Sequence, residues 1–215
     1  MAIPDDRSTI VRPLLAAGVL AALAVVVVTT LALVHQATES QIERNARAWF
    51  LGQLHTLVPP DSYDNDLLTD RIFVTAPAAL GTSRPMPVYR ARRDSQPVAA
   101  ILTTIAPDGY GGPIELMVAV HTDGTLIGVS VLRHRETPGL GDVFEPQRSN
   151  WLESFVGRSL GDPPRDAWTV RKDGGAFDQF TGATITPRAV IGAVRRALEF
   201  FELERSTIFA AEAAP

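Results

Sequence analysis

The sequence predicts an α+β protein in which a transmembrane helix and a stalk helix precede a single domain, with an antiparallel sheet and helices packed on it. An apolar run near the N-terminus is long enough to cross a membrane, and later segments rich in β-branched residues alternate with turn signals. An amphipathic helix follows them. We expect boundaries at 1–13 for the N-terminus, 14–34 for the transmembrane helix, 35–58 for the stalk helix, 59–209 for the domain and 210–215 for a tail.

The transmembrane helix is predicted from Leu14 to Val34, a run without a charged side chain. At 1.5 Å per residue this run spans about 31 Å, which matches the hydrocarbon core of a bilayer. A cleaved signal peptide is the alternative, but its apolar region is usually about 7–15 residues long. Arg7 and Arg12 precede the run, and the positive-inside rule therefore favours a cytoplasmic N-terminus with the domain outside the cytoplasm.

The stalk helix is predicted from an apolar stripe at helical spacing, which ends before Pro59-Pro60. Such a stripe is more often a core or partner-packing face than a cofactor site. Its members are Ile42, Ala46, Phe50, Leu54 and Leu57.

Strands are expected to begin near Val88, and the sheet is predicted from three β-rich segments, at Pro97–Ile105, Ile114–Val120 and Leu126–Leu132. Asp123-Gly124 lies between the last two segments and is a strong hairpin signal. We also expect a short helix at 150–156 and a further strand at 168–171, whereas residues 59–86 predict no particular element.

The composition excludes several kinds of site. The formal net charge is −4 and no basic stripe is present, so a nucleic-acid partner is not expected. The chain has no cysteine, which excludes disulfides and cysteine-ligated iron–sulfur clusters on it. The four histidines are scattered, and no metal site is expected. Redox chemistry on this chain would therefore need an organic cofactor.

The segment from Asp178 to Pro187 reads Asp-Gln-Phe-Thr-Gly-Ala-Thr-Ile-Thr-Pro and precedes the amphipathic helix. From physics alone it is a capped helix start, with Thr186 as N-cap and Pro187 at the first helical position. The free N–H groups and the partial positive charge of a helix N-terminus also favour phosphate binding.

This segment resembles the flavinylation motif of the FMN-binding domain family, Asp-x-x-Thr-Gly-Ala-Thr. Two further segments resemble the family in the same order, Gly109-Tyr110-Gly111-Gly112-Pro113-Ile114 and Glu136-Thr137-Pro138-Gly139-Leu140-Gly141. The resemblance covers roughly residues 87–205. Within the family the chain is similar to the G subunits of Rnf electron transport complexes. A close relative, and the alternative, is the C subunit of the sodium-pumping NADH:quinone oxidoreductase.

The resemblance implies FMN as cofactor, with its phosphate esterified to Thr184. Asp178 caps the turn or assists the modifying enzyme, and Thr181 supports the turn. Lys172 is either a cation near the flavin N1–C2=O edge or a solvated turn lysine. The remaining motif residues in the predicted site are Gly182, Ala183 and Thr186.

The loop at 136–141 is expected to lie against the isoalloxazine ring. Glu136 and Thr137 either hydrogen-bond the ring edge or cap the turn. Gly139 and Gly141 allow the backbone to approach a flat ring closely, and Leu140 packs on the ring face.

By this resemblance the chain is a flavoprotein subunit of an ion-motive electron transport complex, anchored in the inner membrane by one helix. Its partners would be the other subunits, with a flavin transferase during maturation. It would not be a complete enzyme, because it has no G-x-G-x-x-G nicotinamide fingerprint. Two alternatives from other classes are an anchored binding module without a redox role and a stand-alone anchored reductase that uses the same flavin.

Overall fold

A computed structural model of the chain describes residues 7–213, with side chains for residues 15–42 and 44–213. The predicted cytoplasmic N-terminus at 1–13 and the tail at 210–215 therefore lie partly outside the described residues. The chain divides into two compact units between Phe50 and Leu51.

The described part of the first unit is helical, and the helix continues into the second unit, to which its residues from Leu51 onward belong. Helix α1 extends from Arg7 to Leu57 without interruption, so the helix continues unbroken past Val34, the predicted end of the span. Its apolar side chains from Leu15 to Val34 are exposed, and Leu15–Leu57 is long and apolar enough to include a membrane span. The predicted N-terminal apolar helix is confirmed.

The second unit contains a five-stranded antiparallel sheet in the order β1-β2-β3-β4-β5. The strands are β1 at Arg71–Val74, β2 at Met86–Arg93, β3 at Gln96–Ala106, β4 at Ile114–His121 and β5 at Leu126–Arg133. The three predicted strands are confirmed. β1 lies inside the stretch for which the sequence predicted no element.

Two tight turns set the register of the sheet. Between β2 and β3, Asp94 and Ser95 both have positive φ, 50° and 63°. Between β4 and β5, Gly124 has a φ of 94°, as expected for the predicted hairpin. There the Thr125 N–H donates to Asp123 Oδ1 at 2.8 Å, and this bond lowers the pKa of the Asp123 carboxyl.

One face of the sheet is covered by helix α3 at Ile185–Ala210, beside the short helix α2 at Pro77–Leu80. The α3 side chains of Val190, Val194 and Phe201 are fully buried against the strands. The helix repeats apolar residues at this spacing, and burying them stabilises the domain by about 1.5–3 kcal/mol for each large side chain.

The end of α3 is fixed to β2 by a buried arginine. Arg90 is 2% exposed and donates from Nη1 to the carbonyl oxygen of Ile208 at 3.0 Å and from Nε to Asp70 Oδ1 at 2.7 Å. The cation satisfies a carbonyl that the helix end leaves without an intrahelical donor. This contact fixes where the other end of α3, and with it the site, lies on the sheet.

The opposite face of the sheet packs on the last turn of α1. Leu54 is fully buried and Leu57 is 5% exposed. A Cβ placed on Gly128 of β5 would lie 3.1 Å from Leu57 Cδ2, so the absence of a side chain there lets helix and strand approach closely.

The predicted strand at 168–171 is wrong. Val170 forms only an isolated bridge with Phe177, and Arg171–Asp173 is a single 3₁₀ turn that ends at Gly174 with a φ of 85°. The chain turns back on itself here instead of extending, because the Gly174 N–H donates to the Arg171 carbonyl oxygen and the Gly175 N–H to the Val170 carbonyl oxygen, both at 3.0 Å. The predicted short helix at 150–156 is a 3₁₀ helix at Trp151–Phe155.

Candidate functional site

A cleft of about 160 Å³ opens at the N-terminus of α3. Three segments that are distant in sequence converge there, namely the loop before β4, the loop after β5 and the turn before α3. The cleft is lined by Tyr110, Glu136, Thr137, Leu140, Gly141, Gly182, Ala183, Thr184, Ile185 and Thr186.

The turn before α3 is held in place by aromatic packing. Phe180 is 3% exposed, and its ring lies edge-on to Trp151 with 4.9 Å between ring centroids. Trp151 Nε1 donates to the Asp178 carbonyl oxygen at 2.8 Å. Gly182 then reverses the chain with a φ of 80°, a conformation that glycine adopts without strain. The residues that follow are thereby placed at the cleft.

Helix α3 begins at Ile185, with Thr184 at the N-cap position. The predicted N-cap at Thr186 is therefore wrong, and Pro187 is the third helical residue rather than the first. The Thr186 side chain is fully buried and donates its hydroxyl hydrogen to Glu136 Oε2, so it cannot cap the helix. The Thr184 side chain makes no capping hydrogen bond.

Glu136 is the point at which the three segments meet. It is 4% exposed, and its carboxylate accepts hydrogen bonds from the Thr186 hydroxyl and from the Gly111 N–H, the latter at 2.9 Å. A Cβ on Gly109 would lie 2.9 Å from Oε1, and one on Gly141 would lie 2.7 Å from Oε2. Glycine is thus required on both sides of this carboxylate, which gives the two glycine-rich segments a structural reason.

The loop at 136–141 is fixed by a residue that the sequence did not indicate. Asp142 is 3% exposed and accepts from the Gly139 N–H at 2.7 Å, while Arg148 Nε lies 2.8 Å from its other oxygen. The loop closes on itself as well, because the Gly141 N–H donates to the Thr137 carbonyl oxygen at 2.9 Å. The one signal in the sequence that could have indicated Asp142 is its position directly after the glycine-rich segment.

Leu140 connects this loop with the turn before α3. Its side chain is 42% exposed, and its Cδ1 would lie 3.2 Å from a Cβ placed on Gly182. Tyr110 and Ile185, which the sequence did not single out as site residues, are 69% and 47% exposed and also line the cleft. The cleft therefore presents three exposed apolar or aromatic side chains.

Three of the residues predicted for the site lie outside the cleft lining. Thr181 is exposed on the turn. Asp178 is exposed and pairs with Arg171 at 2.9 Å. Lys172 is exposed on the adjacent 3₁₀ turn, where its backbone N–H donates to the Gln179 side chain at 3.4 Å. The other predicted site residues line the cleft together.

The donor set fits FMN at both ends of the molecule. The half-buried Thr184 lies beside the helix N–H groups of Ile185 and Thr186, which suit a phosphate. The exposed side chains of Tyr110 and Leu140 suit a flat ring. The cleft is smaller than the about 300–1,000 Å³ of sites that enclose a ligand, so a ring bound there would keep much of its edge exposed.

Comparison with known proteins shows which family this chain resembles. Residues 109–199 match the family model described as the FMN-binding domain, and this range contains all three segments of the cleft. The chain is 49% identical over 191 residues to the G subunit of the ion-translocating oxidoreductase complex of Pseudomonas aeruginosa (strain UCBPP-PA14), covering 89% of each chain.

Two further relatives carry the same description. The protein of Shewanella baltica (strain OS223) is 44% identical over 199 residues, which are 92% of this chain and 94% of that one. The protein of Vibrio atlanticus (strain LGP32) is 44% identical over 179 residues, or 83% and 85% of the two chains. The similarity thus extends well beyond the cleft.

Proposed function

Because the chain belongs to the family formed by the G subunits of ion-translocating oxidoreductase complexes, we propose that it is a membrane-anchored flavoprotein that relays electrons through FMN in the cleft. The FMN is attached covalently, by a phosphoester bond to Thr184. The chain works with the other subunits of the complex and is not a complete enzyme alone.

The observation that carries this proposal is how the three motif threonines differ in burial, in hydrogen bonding and in their position relative to the cleft. The Thr186 hydroxyl is buried and bonded to Glu136, and Thr181 is exposed outside the cleft lining. Thr184 alone of the three combines a place in the cleft with a side chain that is accessible and makes no capping bond. It is the hydroxyl best placed to receive a phosphoryl group.

The attachment requires an activated donor, because direct esterification of a phosphate in water is unfavourable. We propose a diphosphate ester of FMN as the donor, held by a flavin transferase. Thr184 Oγ1 forms a bond to the FMN phosphorus, the bond from that phosphorus to the bridging oxygen breaks, and the second phosphate leaves with that oxygen. The hydroxyl proton passes to a base of the transferase.

The helix stabilises the product of this reaction. A phosphodiester on Thr184 carries one negative charge at the positive end of the α3 dipole, an interaction of about 0.3–1 kcal/mol at an exposed site. The small cleft also fits a tethered group, because a covalent bond retains FMN even where ring contacts are few. FMN supplies the one- and two-electron chemistry, while this chain holds it and leaves its edge accessible to a neighbouring subunit.

The residues outside the cleft lining have a place in this proposal. Asp178 and Thr181 are exposed on the turn that carries Thr184, and a transferase can reach them there. Thr137 and Leu140 face the ring, and the buried Glu136 holds the loop that carries them. Lys172 lies on the neighbouring turn as a cation that can attract the anionic reduced flavin.

We further propose that α1 anchors the chain in the inner membrane as a single span. The N-terminus is cytoplasmic and the domain is periplasmic. The apolar exposed surface of α1 supports the anchor, and the arginines that precede the span support the orientation.

Replacement of Thr184 tests the attachment. The Thr184→Val chain should fold but show no flavin fluorescence on a denaturing gel, because a covalent bond alone survives unfolding. Thr181→Ser and Thr186→Ser are matched controls that keep a hydroxyl at each neighbouring position, and both should remain fluorescent. A fluorescent Thr184→Val band would refute the assignment.

A further inference from the structure

Arg188 lies where it can reach a group attached to Thr184. The two residues are four apart at the start of α3, and the Arg188 N–H donates to the Thr184 carbonyl oxygen at 3.4 Å. Residues at this spacing share a helix face, with Cβ atoms about 5–6 Å apart. Helical side chains lean toward the N-terminus, so a long side chain at 188 covers the turn that contains Thr184.

In the structure Arg188 is held by a different anion. Its Nη2 donates to Asp173 Oδ1 at 2.7 Å, and its Nε donates to the other oxygen of the same carboxylate. This fork lowers the pKa of Asp173 and raises that of Arg188. The two side chains are 35% and 45% exposed. An ion pair with this exposure is screened by solvent and is readily exchanged for another.

The charges around the turn leave room for one more anion. Among the exposed side chains, Arg171, Lys172 and Arg188 carry three positive charges and Asp173 and Asp178 carry two negative ones, while the buried Glu136 adds a negative charge beside Thr186. Arg171 is paired with Asp178 at 2.9 Å. The exposed charges alone therefore favour one more anion, because the Glu136 carboxylate is already engaged by the Gly111 N–H and the Thr186 hydroxyl.

We propose that Arg188 exchanges partners when FMN is attached, leaving Asp173 and binding the phosphate on Thr184. A guanidinium fork matches phosphate oxygens as well as it matches a carboxylate. Lys172, next in sequence to Asp173, and water then surround the released carboxylate. Arg188 thus binds Asp173 in the unmodified protein and the phosphate in the flavinylated protein. This inference rests on the proposed attachment to Thr184.

The Arg188 Nε–H resonance tests the exchange in the full-length chain in detergent micelles. The resonance is assigned by its loss in Arg188→Gln. In the Thr184→Val chain, which lacks FMN, adding Asp173→Asn should shift this resonance, because Asp173 is then the partner of Arg188. In the flavinylated chain the same Asp173→Asn replacement should leave it unmoved. An equal shift in both backgrounds would overturn the inference.

Phosphorus NMR of the flavinylated chain provides the second readout. Arg188→Gln should shift the phosphodiester resonance, whereas Arg196→Gln should not, because Arg196 lies two turns farther along α3, about 12 Å away. An unchanged resonance in Arg188→Gln would count against the exchange. If Arg188→Gln takes up no flavin, the Nε–H comparison still decides. Intact mass separates the two proposals, since a parent chain without the FMN adduct contradicts the attachment itself.

Discussion

At the scale of single residues, a buried carboxylate organises the cleft. The Glu136 carboxylate accepts hydrogen bonds from the Gly111 N–H and the Thr186 hydroxyl. It is also closely approached by Gly109 and Gly141. A buried polar group that loses its partner costs about 1–3 kcal/mol, so each donor to Glu136 depends on it. The hydrogen bond from the Thr186 hydroxyl to Glu136 occupies that hydroxyl, whereas the Thr184 side chain makes no capping hydrogen bond.

We expect Glu136→Ala to lower the free energy of unfolding by about 2–5 kcal/mol, because it leaves both the Gly111 N–H and the Thr186 hydroxyl without their acceptor. Glu136→Gln should lose less. Its amide oxygen can accept from Gly111, and its amide nitrogen can donate to the hydroxyl oxygen of Thr186. Urea unfolding of the detergent-solubilised chains measures both. A midpoint for Glu136→Ala equal to that of the parent would show that Glu136 does not join the segments.

At the scale of elements, the loop at 136–141 needs glycine for two different physical reasons. Gly139 has a φ of 80° and open space where a Cβ would lie, so its requirement is conformational. A Cβ on Gly141 would lie 2.7 Å from Glu136 Oε2 and 3.4 Å from Thr186 Oγ1, so its requirement is steric. Only the second requirement affects the position of Glu136.

This difference predicts distinct results for two matched variants. Gly139→Ala should destabilise the domain by about 1–2 kcal/mol through backbone strain alone and should still carry flavin. Gly141→Ala should displace the Glu136 carboxylate and reduce the fraction of flavinylated chain. Flavin absorbance per chain, with urea unfolding alongside, measures both effects. Equal flavin content in the two variants would contradict the steric argument.

Local pattern was sufficient to predict β3, β4 and β5, but it predicted neither β1 nor the start of α3. β3 and β4 are long and rich in β-branched residues, whereas β1 has only four residues and lies between polar segments. Thr186-Pro187 has the local pattern of an N-cap, and only a contact with a residue 50 positions earlier excludes it. The contribution of Asp142 is likewise tertiary, since it holds a backbone N–H of the preceding loop.

All the cleft residues except Tyr110 and Ile185 could be predicted, because they occur in motifs that the structure brings together. Asp178, Thr181 and Lys172 precede the lining residues 182–186 in sequence but are exposed outside the lining. Sequence spacing does not separate them from the lining residues, because this segment enters the cleft only from the reversal at Gly182 onward.

At the scale of the whole molecule, one apolar helix and one domain are joined in a single chain. The anchor would keep FMN near the membrane, and the covalent bond would keep it on the domain. Together they would restrict electron transfer to subunits that share this membrane surface.

The proposed orientation predicts the outcome of proteolysis on spheroplasts. Protease added outside should degrade the domain beyond Leu51 and spare a cytoplasmic tag placed at the N-terminus. Permeabilised cells serve as the control for access to the tag. Full protection of the domain in intact spheroplasts would reverse the orientation, and a mature N-terminus beyond Val34 would exclude the anchor.

The central claim is that Thr184 bears the FMN, and peptide mass mapping tests it most directly. Trypsin should release the peptide from Asp173 to Arg188, which contains Thr181, Thr184 and Thr186. We predict that fragmentation of this peptide from the mature chain places one FMN phosphodiester on Thr184. An adduct on Thr181 or Thr186, or a peptide without an adduct from yellow protein, would contradict the account.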